Sequence, residues 1–336
     1  MHSREIIALA ELVLEGHPVT RGEALRLAET GVEDIPLLGA YANKIRAKFA
    51  GQEVDMCGVV NARSGLCPED CGFCAQSVHH RTNCRPFPLI SPDEAEKALK
   101  ELDRAGARRA SIVTSGKGMV HDPDFAAIIA LLRRGIETAE IGVCANLGTI
   151  GLEQAAALAA AGLKRYAHNL ETSRRFYPSV CTTHSYEERW NTLQAAKSAG
   201  LELCSGGIIG LGETWEDRID LALALRALAV SSVPVNILNP VKGTALEGQP
   251  PLHPLEIIKT FAIFRFILPD KVIRPAGGRE INLRDMQGAL LLAGANGLIV
   301  GNYLTFGGRD SRADFTMVHD AGLVPGSLAG RKQNEL

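Results

Sequence analysis

The chain has 336 residues, 46% of them hydrophobic and 22% charged, with a formal net charge of −2. This material suits one large core of the kind found in barrels of roughly 250 residues or more, and the near-neutral balance excludes bulk attraction to nucleic acid or anionic lipid. No apolar run approaches the ~20 residues of a membrane span, and the apolar start at 6–14 is broken by Glu11 and lacks a small-residue cleavage signal.

The first 50 residues show apolar positions at helical spacing, and Thr20-Arg21-Gly22-Glu23 fits a capping box. From Val54 the rhythm changes to short β-branched runs that alternate with amphipathic stretches. The pattern predicts strands at about 54–61, 109–114, 139–145, 164–169, 202–208, 233–238, 271–275 and 297–301. Helical patterns fall at about 92–105, 123–134, 151–161, 185–199, 215–229, 254–267 and 284–293. Eight strand–helix steps imply parallel strands with right-handed crossovers, which close naturally into a (β/α)8 TIM-type barrel. A doubly wound open sheet is the alternative. The expected division is an N-terminal helical cap at 1–50, the barrel at 51–305 and a C-terminal extension at 306–336. In that extension Gly307-Gly308-Arg309-Asp310 reads as a surface loop and 330–336 as a mobile tail.

Without a leader or span the chain reads as cytoplasmic, and in that reducing compartment its 8 cysteines favour metal binding or catalysis over disulfides. Three of them, Cys67, Cys71 and Cys74, share one window after the first strand, where Gly65, Pro68 and Gly72 make a loop able to wrap an ion. Thiolates select zinc or iron–sulfur clusters. Zinc takes four ligands, and His79 or His80 would complete a Cys3His set. An iron–sulfur cube on three cysteines instead keeps one iron open to a small molecule.

The pattern Cys-x3-Cys-x-aromatic-Cys, with Phe73 as the aromatic, resembles the signature of the radical S-adenosylmethionine (SAM) superfamily. That resemblance implies a 4Fe-4S cluster on Cys67, Cys71 and Cys74, and SAM chelated at the open iron. Reductive cleavage of SAM then gives a 5′-deoxyadenosyl radical able to break a strong aliphatic C–H bond. Within the superfamily the chain resembles the biotin synthase family over about 54–305, through Gly65-Leu-Cys-Pro-Glu-Asp-Cys-Gly-Phe-Cys-Ala-Gln-Ser77, His168-Asn-Leu-Glu-Thr-Ser173, Cys204-Ser-Gly-Gly-Ile-Ile-Gly-Leu-Gly-Glu-Thr214, Val233-Pro-Val-Asn236 and Arg274-Pro-Ala-Gly-Gly-Arg-Glu280. The implied reaction inserts sulfur into dethiobiotin at two unactivated carbons, one SAM per hydrogen abstracted, with electrons from a flavodoxin- or ferredoxin-type donor. The implied assembly is a homodimer.

The resemblance also implies an auxiliary iron–sulfur cluster, 2Fe-2S or a variant, beside the substrate. Cys144, Cys204 and Arg274 match three of its ligands, and barrel closure is expected to aim all three inward. The family's familiar form has a cysteine in the second strand where this chain has Ser111, and an alkoxide is a poor soft-metal ligand. Cys181, in the loop after the fourth strand, is the expected substitute. Cys57 reads as core and Cys84 as a loop thiol.

For SAM and substrate, the resemblance places Ile208 and its flanking glycines along the adenine, Glu171 at the ribose or methionine end, and Asn169 at the ribose or the substrate's cyclic urea. Asn236 and Phe73 are further candidates, and Ala167 stands where many relatives carry Asn. Two rival readings are another radical SAM barrel enzyme, such as a hydrogenase-cofactor maturase, and a non-catalytic zinc or iron–sulfur protein.

Overall fold

A computed structural model describes residues 1–304 and 307–326. Three helices come first: α1 (Ser3–Leu14), α2 (Arg21–Ala28) and α3 (Ile35–Phe49). The Thr20 hydroxyl accepts from the Glu23 N–H and the Glu23 carboxylate answers the Thr20 N–H, so the expected capping box opens α2.

The alternation then runs β1 (Glu53–Arg63), α4 (Pro92–Arg104), β2 (Arg109–Thr114), α5 (Phe125–Thr138), β3 (Gly142–Asn146), α6 (Leu152–Ala160), β4 (Arg165–Ala167) and α7 (Tyr186–Ser198). It continues with β5 (Glu202–Cys204), β6 (Gly207–Ile209), α8 (Trp215–Leu228), β7 (Ser232–Ile237), α9 (Pro254–Ile267), β8 (Val272–Pro275), α10 (Arg279–Leu283), α11 (Gln287–Leu292) and β9 (Gly297–Ile299). Every named pairing is parallel, and β9 returns to pair with β1 at Met56–Leu298, curling the sheet into the expected barrel. Asn296 N–H bonds the Ile273 carbonyl, which ties β8 to the entry of β9. The N-terminal helices pack outside this ring, α3 on α9 and α2 on α8.

The fifth strand is broken. A single strand is expected over 202–208, but the chain pairs as β5 and β6 with a step at Ser205-Gly206, both halves against β7. The reason is close backbone approach: a Cβ on Gly206 would stand 1.8 Å from the Pro234 carbonyl oxygen, and one on Gly207 would stand 2.3 Å from that of Glu171. The last helical pattern, expected at 284–293, is realised as α11 over Gln287–Leu292; α10 precedes it unforeseen, and Arg284 stands between the two at a φ of 51°. Beyond the loop at 307–310 lie α12 (Ser311–Asp320) and β10 (Val324–Pro325), which pairs with the start of β1. The expected tail at 330–336 lies outside the described residues.

Candidate active site

Residues at the carboxyl ends of parallel barrel strands converge on one mouth. Here two adjoining cavities occupy it. The larger, about 350 Å³, is floored by Cys57 and Val59 of β1, Ser111 of β2, Cys204 of β5, Pro234 and Asn236 of β7 and Arg274 of β8. The smaller lies under the 64–77 loop and is lined by Cys67, Cys71 and Cys74. Phe73, Cys74, Asn169 and Glu171 line both, so they form the wall between two sites.

The three-cysteine loop is held by its own backbone. Cys74 N–H bonds the Cys71 carbonyl at 2.9 Å, Cys67 N–H the Gln76 carbonyl at 3.0 Å, and Val78 N–H the Cys67 carbonyl at 2.9 Å. Gly72 N–H reaches the Val180 carbonyl at 2.8 Å, docking the loop on the segment after β4. Among the described residues the trio whose ligand atoms all lie within 4.8 Å is Cys71, Cys181 and His184. Cys67, Cys71 and Cys74 therefore spread wider than the ~4 Å sulfur spacing around one tetrahedral zinc. His79 and His80 instead face the carbonyls of Pro68 and Cys74, each at 2.9 Å. The loop suits a multi-iron cube better than a Cys3His ion site. Burial pushes the Cys74 thiol up to about 11, so loading a metal there displaces a proton.

Cys181 is placed differently from expectation. It does not line the larger cavity; its Sγ lies 3.6 Å from that of Cys71 and 3.2 Å from both Asp70 Oδ1 and His184 Nδ1. The loop after β4 folds toward the three-cysteine loop rather than over the barrel floor, because the Asp70 carboxylate accepts from the backbone of Thr182 and Thr183 and Glu69 pairs with His184. The structure thus does not bring Cys181 together with Cys204 and Arg274.

Cys204 and Arg274 line the larger cavity, whereas Cys144 does not line it but pairs in register with Ser111, which does. Cys144 is buried beside Ser111 in register, and its thiol is pushed up to about 12 by burial against the pull of Arg165 and Arg109. Arg274 is 2% exposed and donates through one nitrogen to Asp55 Oδ1 at 2.8 Å and to Ser232 Oγ at 3.1 Å. Its Nε and Nη1 are buried with no partner, as is Ser111 Oγ. Unpartnered buried donors beside soft thiols are what an acceptor-rich inorganic cluster would satisfy. Cys57, expected as core, also faces this cavity.

On the dividing wall, Glu171 is buried with a φ of +68°, a conformation that costs a non-glycine residue energy and concentrates at functional positions. Burial raises its carboxyl above the usual range; the Arg189 guanidinium, 3.7 Å away, opposes that. Asn169 spends its Oδ1 on Gly206 N–H, at 3.1 Å, and turns its Nδ2 toward Glu171. Asn236 lines the larger cavity, yet its Oδ1 accepts from Gly277 N–H at 2.9 Å and its Nδ2 approaches the Gly207 carbonyl, so its amide is largely engaged in joining strands. Ile208 sits in an apolar cluster with Val180, Leu211 and Leu238, and Phe73 packs against it. Arg189 went unnoticed in the sequence, since an arginine within an amphipathic helix carries no signal of facing inward.

Fold and site together define a radical SAM barrel protein: residues 63–225 match the model of the radical SAM superfamily, and 234–324 that of the biotin and thiamin synthesis associated domain. A biotin synthase of Carboxydothermus hydrogenoformans is 49% identical over 319 residues, covering 95% of this chain and 98% of its own. One of Clostridium acetobutylicum is 51% identical over 316 residues, covering 94% and 96%. The chain belongs to the biotin synthase family. An FeFe-hydrogenase maturase from Carboxydothermus hydrogenoformans superposes with a TM-score of 0.81 at 18% identity, covering 96% of this chain and 79% of its own. That likeness is one of fold alone. Family membership carries with it a 4Fe-4S cluster and SAM, and among the described residues no helix is long and apolar enough to cross a membrane.

Proposed function

We propose that the protein converts dethiobiotin to biotin by sulfur insertion, with Cys67, Cys71 and Cys74 holding the 4Fe-4S cluster and Cys144, Cys204 and Arg274 holding an auxiliary iron–sulfur cluster. With electrons from a flavodoxin- or ferredoxin-type donor, the bound cluster and SAM supply a 5′-deoxyadenosyl radical, and the auxiliary cluster supplies sulfur. One observation carries the reading. A loop of three thiols and a barrel floor with two unpartnered arginine nitrogens open into adjoining cavities that share Phe73, Asn169 and Glu171.

The chain's own residues then position and shield. Glu171 presents a carboxylate at the boundary, where it accepts hydrogen bonds from ribose hydroxyls or the methionine ammonium, and Arg189 keeps it oriented. Phe73 and Ile208 supply an apolar wall for the adenine and for the aliphatic chain of the substrate. Excluding water there protects a carbon radical from side reactions. Arg274, steadied by Asp55, would help hold the auxiliary cluster at the floor of the larger cavity, where that cluster would supply sulfur to a substrate bound in the cavity.

The test is anaerobic reconstitution with iron and sulfide, followed by dithionite, SAM and dethiobiotin, with 5′-deoxyadenosine and biotin measured together. Both products are expected. Deoxyadenosine without biotin would transfer the chemistry to another carbon skeleton.

A further inference from the structure

We propose that Cys57 is the fourth protein ligand of the auxiliary cluster, in place of the Ser111 hydroxyl. The inference rests on the auxiliary-site reading above and concerns which residue completes it. Position 57 lies on the inward face of β1, two residues before Val59, which pairs with Ser111. Both Cys57 and Ser111 line the cavity that Cys204 and Arg274 floor.

The surroundings single out this thiol. Cys57, Cys204 and Arg274 line one cavity, and Cys144 lies in register with Ser111, which lines it too. Among the described residues Cys57 Sγ makes one hydrogen bond, a long one of 3.7 Å to the carbonyl of its neighbour Gly58. Its sulfur is thus available to the cavity.

Chemistry favours it over its neighbour as well. Iron–sulfur clusters are held by thiolates, and the soft sulfur of a cysteine suits iron in such a cluster better than the hard oxygen of a serine. Among the described residues the sulfurs of Cys57, Cys144 and Cys204 do not all lie within 4.8 Å of one another, a spread suited to a cluster of several irons rather than to one ion. Arg109, Arg165 and Arg274 surround the same space against the carboxylates of Asp55 and Glu202, the latter 2.7 Å from Arg165, and the one positive charge left over suits an anionic thiolate cluster.

The experiment reconstitutes the full chain anaerobically with ⁵⁷Fe and sulfide and measures iron, sulfide and Mössbauer spectra for the wild type, Cys57→Ala, Cys57→Ser and Cys181→Ala. The wild type is expected to show two cluster populations. Both Cys57 variants are expected to lose the auxiliary population and retain that of the three-cysteine loop, which doubles as the check on folding; Cys57→Ser keeps the side-chain volume should alanine disturb packing. Cys181→Ala is expected to keep its auxiliary iron. Cys57 variants with a full and spectrally unchanged auxiliary population would overturn the inference alone. A wild type holding only the loop cluster would overturn the auxiliary reading and this inference with it.

Discussion

Glu171 shows how much a single buried carboxylate is asked to do. It stands at a left-handed φ, 3.7 Å from Arg189, on the wall between two cavities. Charge-assisted hydrogen bonds are worth about 1.5–3 kcal/mol, so Glu171→Gln is expected to weaken SAM binding roughly tenfold or more, read by equilibrium dialysis on the reconstituted protein. Arg274 offers a second test. Replacing it with Met leaves Asp55 buried without its nearest charged partner, with Arg109 3.5 Å away and Arg165 beyond it. Breaking a buried pair costs about 3–5 kcal/mol, visible as a lower denaturant midpoint. At this scale the legible residues were those whose meaning is local. Cys67, Cys71 and Cys74 announce themselves by spacing, whereas the cavity-facing side of Cys57 was hidden because strands buried on both faces conceal which side faces inward, and the turn of Cys181 toward Cys71 was hidden because the loop after β4 takes its direction from Asp70 and Glu69.

Elements were more readable than residues, since hydrophobic period and caps act over short stretches. Strand β2 occupies the expected 109–114, and α9 the expected 254–267. The break between β5 and β6 was hidden because it depends on Pro234 and Glu171 approaching glycines distant in sequence. Gly206→Ala places a methyl against backbone that cannot rotate away, and a loss of about 3 kcal/mol or more is expected, measured by denaturation or seen as failure to accumulate soluble protein. The missed pairing of β10 with β1 has the same origin: two residues carry no periodic signal. Capping gives a test with a pH sign. Although partial burial pushes it upward, the Glu23 carboxyl is lowered to about 2 by hydrogen bonds from Thr20 and His17. Its contribution is complete above the ordinary carboxylate range near 4.5 and is lost as pH falls toward 2. Glu23→Gln should therefore differ most from the wild type near neutrality, with the gap in denaturant midpoint closing in acid. Removing the Thr20 hydroxyl should cost about 1 kcal/mol.

The molecule as a whole is a ring of parallel strands whose mouth brings residues from β1, β2, β5, β7 and β8 to one cavity and a loop of three thiols to the next. Barrel closure was legible as eight alternating steps; the shared wall was not, because it arises only when Phe73, Asn169 and Glu171 meet across the ring. Adjoining cavities would let a radical formed beside the loop take hydrogen directly from a substrate bound in the larger cavity. Dethiobiotin deuterated at the two carbons that become bonded to sulfur measures this. Deuterium is expected in the 5′-deoxyadenosine released during biotin formation, and biotin accompanied by deoxyadenosine free of label would rule direct transfer out.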